Sequence, residues 1–255
     1  VLLSGFRQTE RDRLHQSRDG SIWFSGREYE TAVYRYDGTT LSRLGEEEGL
    51  ISGHVSDIAE TSDGVLWFGT DRGLSRFDGT TIQTYPLGPL SGGVRVIFVD
   101  ADDVLWCGTY LDIFRFDPKG LVGMGKRDNL ANHQQNQSAS VFAIEPDGKG
   151  GYLLGTEWGG VYHLEGPSRD RLTRTDFLGS NYVRNIVRSA DGTLWFGTAD
   201  GIYKQGEGRV QRVLERKWII GLNADDQGHL WFGHGWAGGG LSRYNPTTGA
   251  VETFT

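Results

Sequence analysis

The chain has 255 residues, a formal net charge of −7 and no run of Lys or Arg, which excludes nucleic acid as a partner because backbone binding needs clustered positive charge. No apolar run approaches the roughly 20 residues that span a bilayer, and the single Cys107 excludes an internal disulfide while leaving the compartment open. Thirty-nine glycines beside a 12% aromatic share point to short strands joined by tight turns. The chain opens with Val1 rather than Met, which points to an excised fragment, so the lack of a targeting signal carries no weight.

Read in chain order, one phrase returns six times. It is Asp-Gly-Ser-Ile-Trp-Phe-Ser from Asp19, Asp-Gly-Val-Leu-Trp-Phe-Gly-Thr from Asp63, and Asp-Val-Leu-Trp-Cys-Gly-Thr from Asp103. It continues as Gly-Gly-Tyr-Leu-Leu-Gly-Thr from Gly150, Asp-Gly-Thr-Leu-Trp-Phe-Gly-Thr from Asp191 and Gly-His-Leu-Trp-Phe-Gly-His from Gly228. The Trp column is Trp23, Trp67, Trp106, Leu153, Trp195 and Trp231, at spacings of 44, 39, 47, 42 and 36 residues. A cation column follows it (Arg35, Arg76, Arg115, His163, Lys204, Arg243), and an apolar column precedes it (Leu14, Ile58, Ile97, Ile144, Ile186, Leu222).

Within a repeat, Val55–Glu60 reads as strand A, Val65–Thr70 as B, Leu74–Phe77 as C and Thr81–Tyr85 as D, with Asp-Gly at the hairpin turns. Twenty-four such strands exceed the roughly ten that one open twisted sheet holds. Repeats of about 42 residues with four strands each match propeller blades instead. The expected fold is an all-β propeller of six four-stranded antiparallel blades, one domain over 1–255. Its blades fall near 11–44, 45–86, 87–124, 139–175, 176–214 and 215–255, with a polar insertion at 121–140. The repeated Trp should fill the layer between blades.

These phrases resemble the two-component regulator propeller repeat, most closely over Glu48–Val55, Asp63–Thr70 and Gly73–Gly79. The resemblance covers residues from about 12 to 255. It implies a sensory domain, usually extracytoplasmic (periplasmic in a bacterium), joined through a membrane helix to signalling segments, none of which this chain contains. Family propellers often have seven blades where six are counted here, and strand A of the first repeat is polar. Two arrangements stay open: six blades that close directly, or a piece of a longer array, toward which the reading leans.

A residue present in every copy serves what every copy shares, which is folding. The cation column is therefore expected to pair within its own blade, and the motif aspartates Asp19, Asp63 and Asp191 to make turns. Candidates for ligand contact are the loop residues that do not repeat. They are Arg27, Tyr29, Arg72, Tyr110, Trp158, His234 and Trp236 in B–C loops, and His54, Tyr182 and Trp218 in D–A loops. Both loop types emerge on one edge of a blade, where pockets form on a rigid scaffold. Trp158, Trp218 and Trp236 stand outside the Trp column, and aromatics at such a rim suit a sugar ring or another flat ligand. Loop packing is the plainer reading of any single one.

No phosphate loop, nucleophile elbow or zinc spacing is present, so no catalytic residue, metal or cofactor is assigned. The function expected is non-enzymatic sensing of a glycan-like or other small ligand, with dimerisation as part of a larger sensor left open. The alternatives are a metal-dependent lyase resembling the streptogramin lyases, using a rim histidine such as His54 or His234, and a scaffold that binds a protein partner.

Overall fold

The computed structural model describes residues 14–25, 31–88, 92–117, 120–123, 140–165, 171–175, 178–206, 209–216, 218–235 and 239–254. Strands form where the repeat phrases place them. In the second repeat they are Val55–Glu60, Leu66–Thr70, Gly73–Phe77 and Ile82–Pro86, hydrogen-bonded in chain order as one antiparallel sheet. Five other sheets have the same order, so the fold is all-β and built of six four-stranded propeller blades. The described helical structure is one 3-10 turn, Glu46–Glu48, and no described helix is long and apolar enough to cross a membrane. Two compact units result, Val1–Met124 with blades 1 to 3 and Gly125–Thr255 with blades 4 to 6. Residues 121–123, where the expected third blade (87–124) and the expected insertion (121–140) overlap, lie in strand D of blade 3, Gly120–Gly123; the stretch 124–139 lies outside the described residues.

The hairpins follow from turn chemistry. Gly64 takes a φ of 83°, a left-handed conformation without steric cost for glycine. The Asp63 carboxylate accepts hydrogen bonds from the Thr61 hydroxyl at 2.6 Å and the Val65 N–H at 3.3 Å. Asp19 and Asp191 do the same for Ser21 and for Ser189 and Thr193. These bonds hold all three carboxyls below the ordinary aspartate range. The motif aspartates are turn-makers.

Blades meet where strand B of one abuts strand A of the next. A Cβ on Gly69 would lie 2.7 Å from the Val94 methyl Cγ1, and one on Gly197 would lie 2.9 Å from Cγ2 of Ile219. The motif glycine is thus required by a neighbour's branched side chain, not by its own φ. Beside it the Trp column fills the layer. Trp23 packs with Val55, Ile58 and Phe68, Trp67 with Val94, Ile97 and Leu105, and Trp195 with Ile219, Leu222 and Phe232. Leu153 substitutes for Trp in blade 4 and packs with Val183, Ile186 and Phe196. Two column members depart: Leu14 is 75% exposed, and the half-buried Trp231 stacks on the exposed Phe254.

The cation column lies directly across strands B and C from the Trp column, in pairs such as Trp23–Arg35 and Trp195–Lys204. Arg35 reaches Asp19 at 2.9 Å, His163 reaches Asp147 at 2.6 Å and Arg243 reaches Glu252 at 2.8 Å. Lys204 sits 5.4 Å from the centroid of the Trp195 ring. These contacts lie within single blades, and none forms a ligand-facing ring of charge.

Trp195→Ala should cost about 3–5 kcal/mol, because it removes transfer energy and leaves a cavity. Gly197→Ala should cost about 1–3 kcal/mol through overpacking against Ile219. Urea unfolding of both variants checks the pair, and a Gly197→Ala protein as stable as the parent would contradict the close approach.

Candidate functional site

The loops at the B–C and D–A edge are tied together by main chain. In the second unit the residue following each strand B donates its N–H to the residue preceding strand A of the same blade. The bonds are Glu157 to Ser140 at 2.9 Å, Ala199 to Tyr182 at 3.3 Å and Gly235 to Trp218 at 3.0 Å. The Trp218 N–H closes back on the Ala199 carbonyl at 2.9 Å, so the edge is stitched from blade to blade. Trp218 holds a φ of 56°, rare for a bulky residue and supported here by these two bonds.

On this edge three of the expected residues meet. The Tyr182 ring lies 5.1 Å from Trp218 and 6.0 Å from Trp158, both edge-to-face. Phe142 joins at 5.6 Å, with Arg184 over its ring at 5.5 Å. Edge-to-face pairs contribute about 0.5–1.5 kcal/mol each beyond area burial. The row crosses all three blades of the unit, and Trp158 leaves 46% of its surface exposed at one end.

Phe142 and Arg184 were not among the sequence candidates. Each is the second residue of a strand A (Val141–Pro146, Val183–Arg188) and sits in a β-bulge, where the register with strand B slips by one. The same bulge holds Ser56, Arg95 and Ile220 in blades 2, 3 and 6. A bulge re-aims its extra side chain. The signal lay in the sequence as one variable position (Ser, Arg, Phe, Arg, Ile) directly after the Val or Ile that opens each of these strands.

In the first unit the expected residues are more dispersed. The Tyr110 ring carries the Arg95 guanidinium 3.7 Å from its centroid, a cation–π contact made by the blade 3 bulge. Arg72 is exposed and pairs loosely with Glu46 at 3.6 Å. His54 is exposed, its N–H donating to the Ser52 hydroxyl. Arg27, Tyr29 and Trp236 lie outside the described residues.

His234 breaks a column. Thr70, Thr109, Thr156 and Thr198 hold its position elsewhere, each hydroxyl donating to a carbonyl of its own B–C turn and accepting that turn's N–H groups. The His234 Nε2 instead accepts from Arg216 at 3.1 Å and meets the Ser242 hydroxyl at 3.0 Å, which contacts Thr253 at 2.9 Å. An acceptor Nε2 puts the proton on Nδ1. Burial first, and the Arg216 charge second, hold the imidazole below its ordinary value of 6.5. No group of three or more His, Cys, Asp or Glu among the described residues is placed to hold a metal ion.

Two stretches, residues 49–72 and 178–200, match the family model of the two component regulator propeller. Those two stretches carry the family's repeat. The matched stretches cover strands A and B of blades 2 and 5. No curated protein matches the chain. Among solved structures it is similar to the extracellular domain of BT3049 from B. thetaiotaomicron, described as a hybrid two component system, at 23% identity and a TM-score of 0.76. That match covers 94% of this chain but 33% of the other, so the chain spans about a third of that structure's length. It is also similar to virginiamycin B lyase from Staphylococcus aureus, at 14% identity and a TM-score of 0.75 over 97% of this chain and 85% of the lyase. A third likeness is PorZ, a surface component of the type-IX secretion system of Porphyromonas gingivalis, at 17% identity, a TM-score of 0.73 and coverages of 98% and 42%. At these identities the likeness concerns the fold.

Because the folded His234 resists protonation, the unfolded chain takes up a proton first as pH falls through about 6.5. Stability should therefore drop below that pH and level off once the folded value is reached. His234→Thr, which restores the column, should flatten this part of the profile when urea midpoints are compared across it. Arg216→Met should raise the His234 midpoint followed by NMR.

Proposed function

We propose that these blades form the ligand-sensing part of a bacterial signalling protein, exposed outside the cytoplasm, and that they do no chemistry. The observation that carries this reading is the aromatic row Phe142, Tyr182, Trp158 and Trp218, built from positions that no repeat column requires and fixed on a main-chain-stitched edge. The repeats support it, as does likeness to an extracellular domain of a hybrid two component system. A row of rings with one exposed end suits the apolar face of a sugar or a similar flat ligand, while Arg184 supplies donors beside it. In this reading Tyr182 is the central contact and Trp158 the outer one. In the first unit, His54, Arg72 and Tyr110 stand on the same loop types and are that unit's own candidates for contact.

A second reading, a lyase, rests on His234. It departs from a threonine column and keeps a neutral imidazole, and the fold matches a lyase over most of that enzyme's length. Against it, the Nε2 that would accept a proton is already occupied by Arg216.

In a thermal-shift screen of mono- and disaccharides, ligands of this site should raise Tm in proportion to the logarithm of their concentration. Trp158→Ala and Tyr182→Ala should weaken binding by about tenfold or more, equivalent to about 1.4 kcal/mol, with Trp158→Ala leaving the Tm of the free protein nearly unchanged. A ligand whose shift survives both substitutions would place sensing elsewhere. Divalent-metal-dependent turnover abolished by His234→Ala would support the lyase instead.

A further inference from the structure

Arg216 lies in the D–A connection between blades 5 and 6 and is half-buried. Arg35, Arg43, Arg188 and Arg243 each face a carboxylate, at 2.9, 3.2, 3.4 and 2.8 Å. Among the described residues no carboxylate pairs with Arg216, whose guanidinium donates to two neutral acceptors instead. Its Nη2 reaches His234 Nε2 at 3.1 Å and the Thr253 hydroxyl at 3.4 Å. Its Nε is buried without a partner, while Nη1 makes no hydrogen bond among the described residues and stays open to solvent. A half-buried cation without a counter-ion is costly, because it loses hydration and gains no opposite charge in its place.

The surroundings suit an anion. Thr253 is exposed, and its hydroxyl is held at 2.9 Å by the buried Ser242, which also meets His234 Nε2 at 3.0 Å. The half-buried His234 stands where the other blades keep a threonine, so the repeat does not require an imidazole here. That imidazole can accept from Arg216 only while it is neutral. Protonated, it sets a second positive nitrogen 3.1 Å from the first, a repulsion that an oxyanion between them relieves.

The other charges on the surrounding elements are already matched. Arg243 of strand C pairs with Glu252 of strand D, and Arg212 of blade 5 holds both Asp200 and Glu215. Tyr244 of strand C turns to the Trp195 ring, and strand A, Ile219–Ala224, carries no titratable side chain. Arg216 is the one charge that acts on His234. The cluster borders the aromatic row through Trp218 but uses none of its rings, so it does not rest on the sensing reading above.

We propose that Arg216, His234 and the Thr253 hydroxyl form a binding site for a small oxyanion, a carboxylate or a tetrahedral anion, taken up together with a proton on His234. NMR of ¹⁵N-labelled protein reads both partners, the His234 ring by its titration and the Arg216 Nε–H by its loss in Arg216→Met. Acetate and sulfate, each compared with chloride at equal ionic strength, should raise the His234 midpoint and shift the Nε–H peak saturably. By linkage, the anion should bind about tenfold more tightly below the midpoint than above it. Arg216→Met should abolish the response to both anions. His234→Thr should keep the high-pH affinity and lose its pH dependence, which keeps the test decisive if Arg216→Met fails to fold. A response to acetate alone assigns a carboxylate site, and one to sulfate alone a tetrahedral-anion site. Neither anion exceeding the chloride control, a response that survives Arg216→Met, or binding equally tight on both sides of the midpoint would overturn the proposal.

Discussion

Everything in this protein depends on how closely strand B of one blade can approach strand A of the next. A single four-stranded sheet has two faces to cover and too little mass to cover either, so each blade is stable only through its neighbour. The approach is set by a glycine that leaves room for a branched side chain, as at Gly69 with Val94 and Gly197 with Ile219. The Trp column then fills the wider part of the same layer. Size is needed at one position and its absence two residues later, which is why Trp-x-Gly recurs as a unit. The cations opposite the Trp column cover its rings and tie down local carboxylates, as Lys204 does at Trp195 and Arg35 does at Asp19, an arrangement that serves packing within each blade.

That constraint explains how much could be read in advance. Blade number, strand order and turns were legible because packing repeats and therefore the sequence repeats. Strand limits moved by only a residue, as where strand D of blade 2 runs Ile82–Pro86 rather than from Thr81. Leu14 and Trp231 carry column residues yet stand partly or largely exposed, so membership of a column does not by itself fix burial. The grouping of Trp158, Tyr182 and Trp218 could be anticipated only as a shared edge; their mutual contact depends on loop paths that no repeat specifies. Phe142 and Arg184 escaped notice because the bulge that re-aims them is invisible to a period-two reading. A one-residue slip turns an apparently ordinary strand position toward a different face.

Departures from a column are the positions that shared packing does not explain, and each has a physical cost. His234 forfeits the turn bonds that four threonines make, and Trp67 forfeits the indole bond that three of its counterparts make. Each loss is a stability cost of the kind that persists where another use of the side chain offsets it. A residue that merely varies on the surface forfeits nothing. Asp103 belongs to the first kind, because it accepts left-handed strain where a glycine would be free of it and returns a brace between two turns.

The stitched edge also decides what kind of sensing the aromatic row can support. Its loops are held by backbone bonds such as Gly235 to Trp218 and Trp218 to Ala199, so a ligand has little chain to order on arrival and keeps most of its contact energy. The same rigidity means that binding cannot signal by folding a loop at the site. On the reading proposed above, a ligand held by Tyr182 and its ring neighbours Phe142, Trp158 and Trp218 would touch three blades at once, and its differential affinity would act on the spacing of those blades. That spacing is governed by the glycine-to-branched-residue contacts beneath, where a displacement of a few tenths of an ångström already meets steric resistance. The response available to such a site is therefore a small, stiff shift shared among blades.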